Sequence, residues 1–297
     1  MSPLLYIFGF LALFTGICVV ALFIRQRGRQ DRAPFPENTR LLRAPGESLR
    51  RKLAQMDESF DTLFASACLL PLLLASGTAA LLTLVFSAQH WLTFAAVAIV
   101  SISPGTYLSR RLLALADRRR NTALGYFGEL AVAEALDPLK ATGHRVFHDV
   151  PGDGPAGKAF NLDHVVVGPA GVFAIETKTR RKGRARTGFM AHEIIYDGRA
   201  LSYPWGEDTF GLDQARRQSE WLAGFLQQQL GRTVPVTPLL VFPGWFIIRK
   251  GLGPVNVLNP HELPAAIESR NAVPALDPAA LDLISRQLEA RCRDVEL

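Results

Sequence analysis

Two stretches of this chain carry no Asp, Glu, Lys or Arg: residues 1–24 and residues 63–108. Within them Leu4–Ile24 is a continuous apolar run, about the ~20 residues a helix needs to cross a bilayer. Leu63–Phe86 is a second run of that length, and Trp91–Leu108 is a third, shorter and interrupted by Pro104. Ser87-Ala88-Gln89-His90 reads as the turn between the last two. The pattern predicts three membrane-spanning helices, with the last two forming a hairpin at 63–108. The first run lacks a basic start and is followed by arginines rather than by a small-residue cleavage site, so it reads as an anchor and not as a cleaved signal.

Beyond residue 109 the periodicity becomes that of a folded soluble domain. Apolar positions recur at helical spacing in Ala123–Leu136 and again in Asp213–Leu230, which carries Ala215, Trp221, Leu222, Phe225 and Leu226. Strands are predicted at His144–Val150, Phe160–Gly168, Gly171–Lys178, Glu193–Tyr196, Val236–Phe242 and Val255–Leu258. Pro151–Gly157 is predicted as a loop, Gly168-Pro169-Ala170-Gly171 and Asp197-Gly198 as turns, and Pro260–Ser269 and Pro278–Arg291 as closing helices. The order describes a mixed α/β domain with a central sheet. The expected organisation is a first span at 1–24, a linker at 25–62, the hairpin at 63–108, a basic linker at 109–120, the α/β domain at 121–259 and a helical tail at 260–297.

Charge orients this arrangement. Arg25, Arg27, Arg29 and Arg32 follow the first run, and Arg110, Arg111, Arg118, Arg119 and Arg120 follow the third, whereas the start of the chain and the 87–90 turn carry no Lys or Arg. The positive-inside rule then predicts a multi-pass protein of the cell (inner) membrane, with the N-terminus outside and the α/β domain cytoplasmic. The 297 residues carry a net charge of +6. That excess is spread along the chain, so any nucleic-acid contact must come from local patches. Cys18, Cys68 and Cys292 match no zinc or disulfide framework.

The candidate chemistry lies in two of the predicted strands, FNLDHVVVG and GVFAIETK. A carboxylate in so apolar a run costs several kcal/mol unless it is paired or holds a metal. Alternation along a strand puts Glu176 and Lys178 on one face, as it does Asn161 and Asp163. A hairpin then brings Asp163, Glu176 and Lys178 together. Two carboxylates suit a hard divalent cation such as Mg2+, and a lysine beside them can hold a water or offset phosphate charge. An ordinary ion pair on an exposed sheet face fits the spacing equally well. His164 alternates away from Asp163 and reads as a packing residue. Arg180, Arg181, Lys182, Arg184 and Arg186 follow directly and could grip phosphates without reading sequence. No aromatic-interleaved element for reading bases is evident there.

Taken together, several of these pieces resemble the NERD (nuclease-related domain) family, related to the restriction-endonuclease-like PD-(D/E)xK proteins. Gly125-Tyr126-Phe127-Gly128-Glu129 is similar to the family's opening helix, Asn161-Leu162-Asp163-His164 to its Asp-bearing strand and Glu176-Thr177-Lys178 to its E-x-K strand. Tyr196-Asp197-Gly198 is similar to a following strand end, and Gln214-Ala215-Arg216 through Trp221-Leu222 to a glutamine-bearing helix, although Phe210-Gly211 stands where many relatives carry Asn-Pro. The resemblance implies a restriction-endonuclease-like mixed central sheet flanked by helices, here preceded by three transmembrane helices. It implies Asp163 and Glu176 as ligands of Mg2+ or Mn2+, Lys178 as the catalytic lysine, and Glu129 and Gln214 as further site residues. The function then expected is metal-dependent hydrolysis of DNA, rather than RNA, phosphodiester bonds by a membrane-anchored protein. The alternative is a membrane-tethered nucleic-acid-binding or signalling module with little catalysis. The sequence leaves the oligomeric state open.

Overall fold

The computed structural model describes residues 14–17, 20, 39–85, 90–154, 157, 159–269 and 276–295, and for 83–85 and 90–94 the backbone alone. The chain divides into Met1–Leu41 with Glu296–Leu297, and Leu42–Val295. In the first unit residues 14–17 and 20 are helical, and the rest of the apolar run Leu4–Ile24 lies outside the described residues.

The second unit opens with two long helices, α1 (Glu47–Val85) and α2 (His90–Leu136). They run antiparallel side by side. Leu49 lies against Gly125, Asp57 pairs with Arg119, and Pro71 lies against Gly105. Neither Pro71 nor Pro104 ends its helix. At ~1.5 Å per residue, a helix the length of α1 spans almost twice the ~30 Å hydrocarbon core of a bilayer.

Where three spans were expected, one helix among the described residues, Glu47–Leu82, is long and apolar enough to cross a membrane by length and composition, with a mean hydropathy of 1.9 over its apolar 18-residue window. Its apolar window is not buried within the protein: Phe64, Leu69, Leu72, Leu73 and Leu81 are all exposed. The run Trp91–Leu108 forms the first part of α2, where Ile99 and Ile102 are exposed. Residues 109–120, anticipated as a linker, are the uninterrupted middle of α2.

After a 3-10 turn at Asp137–Thr142 the α/β body begins. Its main sheet contains β1 (Arg145–Asp153), β2 (Ala159–Gly168) and β3 (Gly171–Thr177). A second sheet is built from β4 (Glu193–Tyr196), β5 (Leu201–Tyr203) and β6 (Gly206–Asp208). Helix α3 (Phe210–Leu230) follows, then β7 (Val236–Val241), β8 (Phe246–Arg249) and β9 (Asn256–Leu258). Helices α4 (Leu263–Glu268) and α5 (Pro278–Cys292) come last. The main sheet has the order β9-β7-β3-β2-β1 and the second β6-β5-β4-β8. In the main sheet β3 pairs parallel with β7 and antiparallel with β2, so the sheet is mixed, as the resemblance implied.

Both faces of the main sheet are covered. Val165, Val167, Val172 and Ala174 pack under Leu222 and Leu226 of α3 and Ile284 and Leu288 of α5. On the opposite face Val166, Phe173, Ile175, Leu239 and Val241 meet Val132 and Leu136 of α2 and Leu263 and Ile267 of α4. Burying each such side chain contributes about 1.5–3 kcal/mol, and the near-continuous Val/Ile runs of β2 and β3 reflect this two-sided burial. The β2–β3 turn needs Gly171, whose φ of +119° disfavours any side chain. The second sheet has its own core, in which Tyr203, Phe242, Trp245 and Leu240 meet.

Candidate active site

Three strands bring carboxyl groups into one row. The β2–β3 register places His164 opposite Ile175, so Asp163 stands opposite Glu176. The β1–β2 register pairs His148 with His164 and Val150 with Leu162, which sets Asp149 opposite Asp163. By strand parity Asp163 and Glu176 share the face of Val165 and Ala174, the face beneath α3. Lys178 lies one residue past β3, where its N–H donates to the Val241 carbonyl at 2.8 Å.

Helix α3 supplies the lid over this row. Lys178 Nζ donates to Glu176 Oε1 at 2.5 Å and to Gln214 Oε1 at 2.8 Å. Four residues along α3, one helical turn, Gln218 Nε2 donates to Glu176 Oε2 at 2.7 Å. Both oxygens of the buried Glu176 are therefore satisfied. Asp163 Oδ2 accepts the Thr177 N–H at 2.6 Å, which ties the two strands at their ends.

Helix α2 adds Glu129, and the two glycines of Gly125-Tyr126-Phe127-Gly128-Glu129 explain how. Gly125 lets Leu49 of α1 approach, and a Cβ at Gly128 would collide with the Thr179 side chain. With no Cβ there, α2 seats directly on the chain leaving β3, and the next residue, Glu129, is delivered to the site. Glu129 is buried, and its Oε2 has no hydrogen-bond partner.

Burial and mutual repulsion shape the titration of this row. Burial first, then Asp149 and Glu176, raise the Glu129 carboxyl to about 8. Burial raises Asp163 well above the usual carboxylate range, with Glu176 and Glu129 adding to it. Glu176 is raised by burial, held back by Lys178. Such a set takes up either protons or a cation. The donors are all hard oxygens and the Glu129 oxygen is unpartnered, which fits Mg2+ or Mn2+. Among the described residues no three His, Cys, Asp or Glu side chains are grouped closely enough to share one ion. An ion here would therefore take one or two carboxylates and complete its shell with water, as Mg2+ commonly does.

Of the residues named from sequence, Asp163, Glu176, Lys178, Gln214 and Glu129 converge. The basic stretch divides. Arg180 lies by Asp208 at 3.4 Å and over the Tyr203 ring, and Lys182 lies over the Trp245 ring. Arg181 turns back to Asn121 and the Arg120 carbonyl of α2. Arg186 packs on Phe189 and donates to the Tyr203 carbonyl. Arg184 is exposed. His164 is fully buried on the far face, its Nδ1 at 2.8 Å from that of His148.

Sequence reading missed Asp149 and Gln218. Asp149 has a positive φ of 50°. Its carboxylate accepts from the Ser48 N–H and hydroxyl and pairs with Arg43 at 3.0 Å, so it anchors the first turn of α1 to the sheet. Gln218 was the better signal: it lies one helical turn after Gln214 and is a polar residue on the buried side of an amphipathic helix.

A comparison with known families matches the part of the chain that holds these residues. Residues 124–243 match the nuclease-related domain (NERD) family. The match takes in Glu129, Asp163, Glu176, Lys178, Gln214 and Gln218, and ends just past β7. It leaves out the helical hairpin up to residue 123 and the tail after residue 243. No curated protein and no solved structure matches the chain. Residues 124–243 are thus the part whose similarity suggests a nuclease-related function.

Proposed function

We propose that this protein is a membrane-anchored, metal-dependent nuclease that hydrolyses DNA phosphodiester bonds. The observation that carries the reading is the convergence of Asp163, Glu176 and Lys178 on one sheet face, with Glu129 brought in by α2 and its oxygen unpartnered. Asp163 and Glu176 would hold Mg2+ or Mn2+, which supplies charge to a phosphate oxygen and lowers the pKa of a bound water. Lys178 sits where its ammonium can meet a phosphate, and Gln214 holds that ammonium in place. Gln218 fixes the orientation of Glu176. Glu129 is positioned to take the proton released as water attacks, once a cation at the site brings its pKa down.

The exposed apolar half of the hairpin supports the anchor, with the nuclease-related domain on the cytoplasmic side and further spans at Leu4–Ile24 and Trp91–Leu108. The test is to incubate the full chain, in detergent or nanodiscs, with DNA and Mg2+ or Mn2+. Cleavage that stops in Asp163→Ala and Lys178→Ala is expected; cleavage that persists in both variants would defeat the proposal. One observation favours a second reading, a tethered nucleic-acid-binding module with little catalysis: Lys178 and Glu176 already neutralise each other at 2.5 Å. Salt-sensitive binding without metal-dependent cutting would select it.

A further inference from the structure

The chain leaving the site carries a cation at every second position: Lys178, Arg180 and Lys182. Each lies over an aromatic ring supplied from elsewhere in the fold. Lys178 Nζ is 5.5 Å from the Phe210 ring centre, the Arg180 guanidinium 5.8 Å from Tyr203, and Lys182 Nζ 5.8 Å from Trp245. The rings form a connected set. Trp205 stacks on Tyr203 at 5.4 Å and meets Trp245 edge-on at 5.6 Å. The Trp245 indole N–H donates to the Arg180 carbonyl at 3.2 Å, which fixes the strip to its floor.

Two of these aromatics are open to solvent where a nucleic acid would pass. Phe210 is 58 % exposed beside Lys178, and Trp205 is 43 % exposed. Past Lys182 the strip runs into a groove of about 760 Å³, walled by Trp245 and the exposed Phe246, with Lys182, His192, His261 and Glu134 at its rim. A large exposed ring costs hydration unless something covers it. A duplex hides its base faces in its own stack and offers only phosphates to such a surface. An unpaired strand offers phosphates and base faces together, which is what alternating cations and rings can hold.

We propose that residues 178–182, with Phe210, Trp205 and the Trp245–Phe246 groove, form a track that binds single-stranded nucleic acid. Its phosphates lie on Arg180 and Lys182, and its unpaired bases stack on Phe210 and Trp205. The track deepens the nuclease reading by naming the form of its substrate and rests on that reading for its direction past Lys178, but it is a binding surface and is tested as one. The full chain in detergent is titrated into a fluorescein-labelled 20-mer of dT, and separately into a duplex of the same length, with EDTA present so that nothing is cut. Fluorescence anisotropy gives the affinities.

The single strand is expected to bind at least about tenfold more tightly than the duplex. Phe210→Ala and Trp205→Ala should each weaken single-strand binding by roughly five- to a hundredfold, the range for losing one stacked base, while Phe210→Trp keeps it and duplex binding is unmoved. Both rings are exposed, and unchanged melting temperatures of the variants exclude unfolding as the cause. Equal affinity for the two forms, or Phe210→Ala binding as tightly as the parent, overturns the track. Absence of Mg2+-dependent cutting with the single-strand preference intact would defeat the nuclease reading and leave the track standing.

Discussion

The two faces of the main sheet both carry polar groups where apolar ones would pack, and they solve the problem in opposite ways. On the α3 face Asp163 and Glu176 meet Lys178, Gln214 and Gln218, with Glu129 at the rim. On the α2 face His164 meets only His148, ring edge to ring face at 5.1 Å, and its Nε2 is unpartnered. Asp163 and His164 are adjacent in the chain, so strand alternation alone separates them. Burial raises the carboxyls and lowers the imidazoles, His148 to about 4 and His164 well below the usual imidazole range. The carboxyls of one face are thus neutral in acid and strained in alkali, and the imidazoles of the other the reverse. The face with several donors and acceptors converging is equipped for chemistry; the face with one closed pair is equipped for packing.

The sharpest way to break this comparison is to remove the polar groups from each face and measure cleavage. Lys178→Ala or Asp163→Ala is expected to lower DNA cleavage by roughly a hundred- to a thousandfold, the range for losing one preorganised electrostatic group. The double variant His148→Phe/His164→Phe should leave the rate within a few-fold of the parent. A large loss in the histidine variant at unchanged stability would make the far face part of the chemistry and end the distinction.

Next in size is the alkaline limb. Glu129 has its folded pKa raised from 4.5 to about 8. The folded state therefore holds a proton that the unfolded state loses above pH 4.5, and stability falls as pH rises through the window up to about 8. In EDTA the melting temperature should drop by several degrees between pH 5 and pH 8.5. Glu129→Gln, which cannot ionise, should flatten that slope and melt above the parent at pH 8.5. Mn2+ should restore the parent at pH 8.5 and do nothing for Asp163→Ala. Parallel slopes for parent and Glu129→Gln would mean that this carboxyl is ionised at no cost.

The acid limb belongs to the histidines. His148 is depressed from 6.5 to about 4, so its contribution is fully present above pH 6.5 and is lost as pH falls towards 4. The loss is about 3 kcal/mol at 1.36 kcal/mol per pH unit. The double phenylalanine variant removes both ring-nitrogen pairs at once, which strands no partner. Its stability between pH 6.5 and pH 4 should fall less steeply than the parent's; an identical profile would place the acid sensitivity elsewhere.

How much of this was legible in sequence follows from length and period. The long elements were readable because their apolar periods are unbroken: β2 and β3 as Val/Ile runs, α3 by Ala215, Leu222 and Leu226. Asp163, Glu176 and Lys178 stood out because charge in such runs is costly. The second sheet was mostly invisible, since β5, β6 and β8 are three or four residues long and show no usable alternation. The base of the hairpin was hidden for another reason. Arg118, Arg119 and Arg120 read as part of a basic linker, yet they are exposed residues of a continuous α2, where Arg119 reaches Asp57. The aromatic floor under residues 178–182 had no local signal at all, because Tyr203, Trp205, Phe210 and Trp245 come from three separate places in the chain.

The smallest effect tests how the chemical face is held together. Gln218 donates to Glu176 Oε2 at 2.7 Å and to the Asn161 carbonyl at 3.3 Å, and it is buried. Gln218→Ala leaves one buried carboxylate oxygen without a donor, which costs about 1–3 kcal/mol as an unsatisfied acceptor. Glu176 can recover part of this by taking up a proton, so the loss should be least at low pH and grow as pH rises. Gln214→Ala frees one side of the partly buried Lys178 and should change stability by less. It should instead weaken cleavage, because the ammonium loses the group that aims it. If the two variants exchanged these signatures, with Gln218→Ala losing rate alone and Gln214→Ala losing stability alone, the lid would be organised around Lys178 and not around Glu176.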